Sequence, residues 1–379
     1  MASIDQARQR ANLQFLAEGH EFSFGNALDC PWPVAQLVEL GAHTPGVEGV
    51  FESGLTAVVY KLRVGSRCHA VKKARAACLV QNADGQTSFL NELQRHAEIR
   101  ALRLAGTRLD GVIAPVYGSL KNGLLVSDWI EGHTLASFDE RQLTQLFQTG
   151  RKLVENGFFE WDFCPGNVID DGQRVWVFDF GYMYRFDPLS QFNSAGQGND
   201  VPMFHLAERI ETRNVFAWLL DVEQQQGPPA ALERFRMVKR VALDCYRQLR
   251  AALARRKASA PVLDWLDSII VTWDRGLAED LAALYLKEGW RSQALDLDDD
   301  LRGRTCTRRT LARADWLIGV ARDSYAALRA SGALFGADVD LSQHQLVSTY
   351  RRHRAMAQRH RVAEPSDAAR SAPALDTPA

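Results

Sequence analysis

What the sequence lacks narrows the reading first. Its six cysteines (Cys30, Cys68, Cys78, Cys164, Cys245, Cys306) form no C-x-x-C pair and no dense framework. That scatter argues against a disulfide-stapled secreted domain and fits a reducing compartment. Charge of one sign is missing too: 45 Lys and Arg meet 46 Asp and Glu, a formal net of −1. No whole-protein field therefore draws the chain toward nucleic acid or an anionic membrane. No stretch approaches the roughly eighteen uninterrupted apolar residues that a membrane-spanning helix needs. The opening residues, MASIDQARQRANLQFLAEG, lack the apolar core of a signal peptide. The nine histidines show no metal-ligand spacing, and there is no internal repeat. Together these absences predict a protein of the cytoplasm.

What is present suffices for a large folded enzyme. With 379 residues and 46% hydrophobic ones, the chain matches ordinary globular composition and can hold two or three domain-sized units. Residues 1–45 read as a helix followed by an irregular segment. TAVVYKLRV and SRCHAVKKA read as two strands joined at Gly65-Ser66, a hairpin. SFLNELQRHAEIRALRLAG repeats apolar residues at helical spacing (Phe89, Leu93, Ile99, Leu102) and stops at Gly106. GVIAPVYGSL and GLLVSDWI supply two more short strands. After residue 132 the pattern turns helical, interrupted by RVWVFDF and a polar, glycine-rich loop. The last residues, 363–379, are rich in Pro, Ala and Ser with no periodic apolar face, and read as a disordered tail.

Within this plan FFEWDFCPGNVI, residues 158–169, is out of place. A core strand gains nothing from burying Asp162 and Asn167 unless both find partners, since an unpaired polar group costs several kcal/mol there. Asp179 follows twelve positions after Asn167, and VIDDGQRVWVF between them reads as strand, turn at Asp171-Gly172, and strand. A hairpin of that size returns the chain to its start, so Asn167 and Asp179 are expected side by side, both able to offer oxygen to a hard cation such as Mg²⁺.

These pieces (a strand ending in HAVKK, a helix with AEIRAL, the loop WDFCPGN, and VFDFG) stand in an order that resembles the protein-kinase-like fold. That family includes protein kinases and small-molecule kinases of the aminoglycoside-phosphotransferase type, whose pattern is a strand lysine, a helix glutamate, H-R-D-x-x-x-x-N and D-F-G. The resemblance covers roughly residues 46–220. It implies an α+β, bilobal fold: a β-rich N-lobe over 46–126, an α-helical C-lobe over 127–290, and a C-terminal helical extension over 291–362.

By that resemblance, Lys72 would contact the α- and β-phosphates of ATP, and Lys73 would face the other way. Glu98 would hold Lys72; it is preferred to Glu92 because EIRAL precedes the next strand at a kinase-like distance. Asp162 would orient the acceptor hydroxyl and take its proton. Asn167 and Asp179 would hold the metal. Val59 and Ala70 would pack on the adenine, whose edge would meet the backbone of Asp128 and Ile130, with Ser127 at the gate. Two positions depart from the pattern. The phosphate-covering stretch is ESGLTAVV, where only Gly54 of three glycines remains and Glu52 and Ala57 flank it. The loop histidine is Glu160, so the bond it usually makes must be replaced.

The implied activity is transfer of the γ-phosphate of Mg-ATP to a hydroxyl of a small molecule or a protein. PGN in the loop, and no A-P-E triplet after D-F-G, lean toward a small-molecule or atypical kinase rather than a Ser/Thr protein kinase. A nucleotide-binding pseudokinase without turnover is the alternative. Cys164 reads as a small apolar filler. Glu208, Arg209, Glu211 and Arg213 read as buried scaffold pairs. The basic run YRRHRAMAQRHR, 350–361, reads as a solvated helix face rather than a nucleic-acid contact.

Overall fold

The computed structural model describes residues 4–80, 82–195 and 201–362; the tail expected at 363–379 lies outside the described residues. Helix α1 (Ile4–Ala17) leads through strand β1 (Ser23–Gly25) and helix α2 (Val34–Val38) to β2 (Val47–Phe51). Then come β3 (Ala57–Val64), β4 (Arg67–Ala74), the long helix α3 (Ala83–Leu104), β5 (Tyr117–Ser119) and β6 (Leu124–Asp128). These strands form one six-stranded antiparallel sheet in the order β1-β5-β6-β4-β3-β2.

Strand alternation divides this region into two cores. Leu124 and Val126 of β6 join Val71, Leu62 and Leu37 on the face covered by α2. Leu125 joins Phe89 and Leu93 of α3 on the other. The same alternation separates two neighbouring lysines. Lys73 turns to the first face and donates to the carbonyls of Val38 and Leu40 at the end of α2, whereas Lys72 turns to the face under α3.

The N-terminal segment expected outside the sheet contributes β1, whose Ser23 pairs with Ser119. Phe22 and Phe24 pack into the core under α3. A strand of three residues is too short to show a period, which is why the pattern did not display it. Residues 111–116 form only one bridge, Val112 to Val177, before β5 begins; Pro115 has no N–H to give a ladder.

Beyond the sheet follow β7 (His133–Thr134), α4 (Glu140–Glu155), β8 (Phe158–Glu160), β9 (Val168–Asp170), β10 (Val175–Val177) and β11 (Met183–Arg185). They pair as β10-β9-β7 and as β11-β8. Helix α5 (Leu206–Ile210) continues through a π-helical turn, Glu211–Val215, into α6 (Phe216–Gln226). Helices α7 (Pro228–Arg255), α8 (Ala260–Ala278), α9 (Leu281–Gly303), α10 (Arg308–Asp323), α11 (Tyr325–Ala330) and α12 (Gln343–Arg359) complete the chain. The protein is thus mixed α+β, with a β-rich N-terminal region and a helical C-terminal half.

The chain divides into two compact units. Residues up to Asn214 with Met237–Asp274 form the first, and Val215–Arg236 with the residues from Arg275 onward form the second. The boundary expected at 290/291 falls inside α9. That helix is continuous because Leu284, Trp290, Leu297 and Leu301 are buried along it, and the last three share a core with Leu317 of α10 and Leu346 of α12. No helix among the described residues is long and apolar enough to cross a membrane.

Candidate functional site

The site starts from the hairpin β3–β4. Its register sets Val59 opposite Lys72, and Ala70 lies opposite Ser127 of β6, so Val59, Ala70, Lys72 and Ser127 share one face. Lys72 Nζ lies 2.7 Å from Glu92 Oε2 and 2.9 Å from Asp179 Oδ1. Glu92 is 3% exposed and Asp179 38% exposed, so the cluster is sealed on one side and open on the other. Burial works against the Lys72 ammonium, but Asp179 and Glu92 more than offset it and raise its pKa. Burial pushes the Glu92 carboxyl up to about 7, against the pull of Lys72.

The partner of Lys72 is therefore Glu92, and the expectation for Glu98 is corrected. Glu98 pairs instead with Arg95 at 2.9 Å and lies 3.8 Å from Arg185. The reason is helical phase: six residues turn a side chain through about 600°, so Glu98 emerges about 120° away from Glu92. Glu92 falls on the same stripe as Phe89, His96 and Ile99, all buried. That stripe was the available signal, since an acid on an apolar helix face needs a buried partner.

Helix α3 also grips the segment around Asp179, through a residue that sequence reasoning missed. Asn91 Nδ2 donates to the carbonyls of Phe180, Gly181 and Met183 at 3.2, 3.0 and 2.7 Å. Held this way, Asp179 adopts φ 65°, a left-handed conformation that Asp tolerates at some cost. Gly181 permits the close approach, because a Cβ there would sit 3.1 Å from Ser88 Cβ. His96 wedges between Phe180 and Phe24, ring centroids 5.0 and 6.4 Å away. Burial pushes its imidazole down to about 3, so it packs as a neutral ring.

On the other side stands the loop after β8. The Asp162 N–H donates to Glu160 Oε1 at 2.6 Å, and Asn167 Nδ2 donates to the Asp162 carbonyl at 3.0 Å. Glu160 is buried, and burial pushes its carboxyl well above the usual range against the pull of the N–H it accepts. Glu160 thus braces the loop that carries Asp162, at the position where the resemblance led one to expect a histidine. Its Oε2 is buried without a hydrogen-bond partner among the described residues. The Asp162 carboxylate receives Arg213 Nε at 3.1 Å. Arg213 was expected as scaffold; nothing local in the sequence ties it to a residue 51 positions earlier.

The hairpin expected between Asn167 and Asp179 forms as β9 and β10, and the Phe178 N–H donates to the Asn167 carbonyl at 3.2 Å. This returns Asp179 to the neighbourhood of Asn167. With Asn167 Nδ2 occupied, its carboxamide oxygen is the remaining donor atom. No group of three or more His, Cys, Asp and Glu that could hold a metal occurs among the described residues. Two oxygen donors, Asn167 Oδ1 and the partly exposed Asp179, nonetheless fit Mg²⁺, which takes one or two protein ligands and completes its shell with phosphates and water.

The stretch Glu52–Thr56 is tied from beneath. Arg75 donates to the Gly54 carbonyl at 2.9 Å and to the Glu52 carbonyl at 2.6 Å. A Cβ on Gly54 would meet Ala57 O at 2.7 Å, so the one glycine retained is sterically required. Where β6 ends, the Trp129 N–H donates to Cys68 O. Alternation turns the backbone groups of Asp128 to the opposite edge, and Ile130 lies two residues past the end of the strand. Cys164 stays inert, since burial pushes its thiol well above the usual range. A separate cavity in the same unit, lined by Val154, Phe159, Leu206, Tyr246 and Trp265, is apolar and contains none of these charged groups.

Compared with known proteins, the chain matches no protein-family model and no curated protein.

Proposed function

We propose that the chain is an ATP-dependent phosphotransferase of the protein-kinase-like type, moving the γ-phosphate of Mg-ATP to a hydroxyl. One observation carries the reading: an ammonium held between a buried and a partly exposed carboxylate that come from three separate elements, facing a loop that supplies Asp162 and Asn167. Stability alone does not call for such a cluster, because two carboxylates around one lysine leave an excess of negative charge. A binding site for a cation and phosphates uses that excess.

In this reading Glu92 aligns Lys72, which contacts the α- and β-phosphates of ATP. Asp179 and Asn167 would hold Mg²⁺, which would supply neutralisation of phosphate charge. Asp162 accepts the proton of the acceptor hydroxyl as its oxygen bonds to the γ-phosphorus. The bond from that phosphorus to the β,γ-bridging oxygen breaks, and ADP leaves with the electron pair. Positioning and charge neutralisation supply most of the rate. Val59 and Ala70 pack on the adenine, and the backbone of Asp128 and Ile130 reads its edge. The acceptor is a small molecule or a protein side chain. Six free cysteines suit action in the cytoplasm.

The test is ADP release from Mg-ATP, with labelled phosphate followed into an acceptor panel that includes the chain itself. Turnover by the intact protein that Asp162→Ala and Asp179→Ala both abolish is the expected result. Nucleotide binding without turnover toward any acceptor would replace this reading with a nucleotide-binding scaffold.

A further inference from the structure

We propose that Arg213 is a positioning residue for the phosphoryl transfer, the cation that sets the Asp162 carboxylate for its work; the inference rests on the phosphotransferase reading. The loop that carries the base, EWDFCPGN over 160–167, contains no Lys, Arg or His. Any cation at Asp162 must come from elsewhere in the chain. Arg213 brings it from the π-helical turn between α5 and α6, with Nε 3.1 Å from Asp162 Oδ1. Both side chains are about a quarter exposed, at 25% and 26%, so the pair borders solvent rather than lying in the core.

Three bonds then act on one residue. The Asp162 N–H is held by Glu160 and its carbonyl by Asn167, which fixes the backbone and leaves the side-chain torsions as the remaining freedom. The Nε–H of Arg213 on Oδ1 removes that freedom. Oδ2 keeps no partner among the described residues and is the oxygen left to accept the hydroxyl proton. The platform beneath is stiff. Thr212 Oγ1 donates to Glu208 Oε1 at 2.7 Å, Glu208 also holds Arg209, and Glu211 holds Lys239 at 2.5 Å. The π-helical turn gives its side chains a different phase from the flanking α-helices, and such turns recur at functional sites. Here Glu211 turns to the buried Lys239 while Arg213 turns to the base. Arginine suits this task better than lysine, because its guanidinium is planar, permanently charged and preorganised.

The experiment uses the full chain with Mg-ATP and water as acceptor, following ADP release, and calorimetry for Mg-ATP affinity. Arg213→Ala is expected to lower kcat by about 100-fold, the size of effect a misplaced reacting group has, with the Mg-ATP dissociation constant changed less than about threefold. Guanidinium ion at millimolar concentration should recover part of the lost rate in Arg213→Ala but none in Asp162→Ala. Arg213→Lys, which keeps the charge, should fall between the intact protein and Arg213→Ala. Turnover of Arg213→Ala equal to or above that of the intact protein would overturn the proposal, the latter marking the pair as a brake. So would a loss shared by Mg-ATP affinity and not relieved by guanidinium, which marks a structural role. If the intact protein shows no turnover sensitive to Asp179→Ala, the phosphotransferase reading falls and takes this inference with it; turnover sensitive to Asp179→Ala but indifferent to Arg213 removes the inference alone.

Discussion

Among its described residues the first compact unit contains two buried lysine–glutamate pairs, and they differ in solvent access. Lys239 meets Glu211 at 2.5 Å with both side chains at 0% exposure, and the ammonium also lies 4.3 Å from the centre of the Trp273 ring. Lys72 meets Glu92 at 2.7 Å, but a second carboxylate, Asp179, joins it from the open side. A pair sealed from solvent serves the scaffold. An open cluster with an extra carboxylate leaves negative charge facing solvent, where a cation can use it. The chemistry of the side chains is the same, and solvent access distinguishes the two sites.

That contrast can be broken by experiment. Lys239→Met strands a buried carboxylate and should cost about 3–5 kcal/mol in denaturant unfolding, with any activity lost only in proportion to unfolded protein. Lys72→Met should do the reverse. Its stability cost stays below that of Lys239→Met because Glu92, already pushed up to about 7, takes a proton, whereas ATP turnover falls by about 10²–10³ as a site cation is lost. Equal destabilisation by the two substitutions would erase the distinction drawn here.

Glu160 sharpens the comparison through pH. Burial pushes its native carboxyl well above the ordinary carboxylate range, so above that range the unfolded chain has released a proton that the native protein retains. Stability must then fall as pH rises, by up to about 1.4 kcal/mol per pH unit, until the native group ionises. Glu160→Gln keeps an oxygen for the Asp162 N–H and cannot ionise, so its unfolding free energy should lose that slope above the ordinary carboxylate range. A slope unchanged by the substitution would mean that the native carboxyl is already ionised. The smallest effect belongs to Glu98→Ala, which removes a partly exposed ion pair and should cost no more than about 1 kcal/mol, with turnover unchanged. Loss of turnover in Glu98→Ala but not in Glu92→Gln would restore the partner assigned from sequence spacing.

Local pattern made much of this legible. The hairpin at Gly65, the opposite facing of Lys72 and Lys73, and the return of the chain from Asn167 to Asp179 all follow from strand alternation and turn chemistry within a few residues. The acid on α3 was misread because linear distance to the next strand was weighed above helical phase, and phase is what aims a side chain. Strand β1 was missed because three residues carry no period. The limits of the second unit are not legible in a linear reading, because they depend on which helices share a core, and Val215–Arg236 joins residues far along the chain.

By itself the sequence determined the mixed α+β order of elements and the residue types able to bind a cation and a phosphate. It also argued against a membrane helix and a disulfide framework. Only the tertiary structure decided that Glu92 meets Lys72, that Asn91 holds the Asp179 segment, and that Arg213 reaches Asp162 from 51 positions away. The physical reason is range. Turns, caps and alternation act between neighbours in the chain. Burial and charge pairing act between whatever surfaces packing brings together, and one sequence read alone does not carry that information.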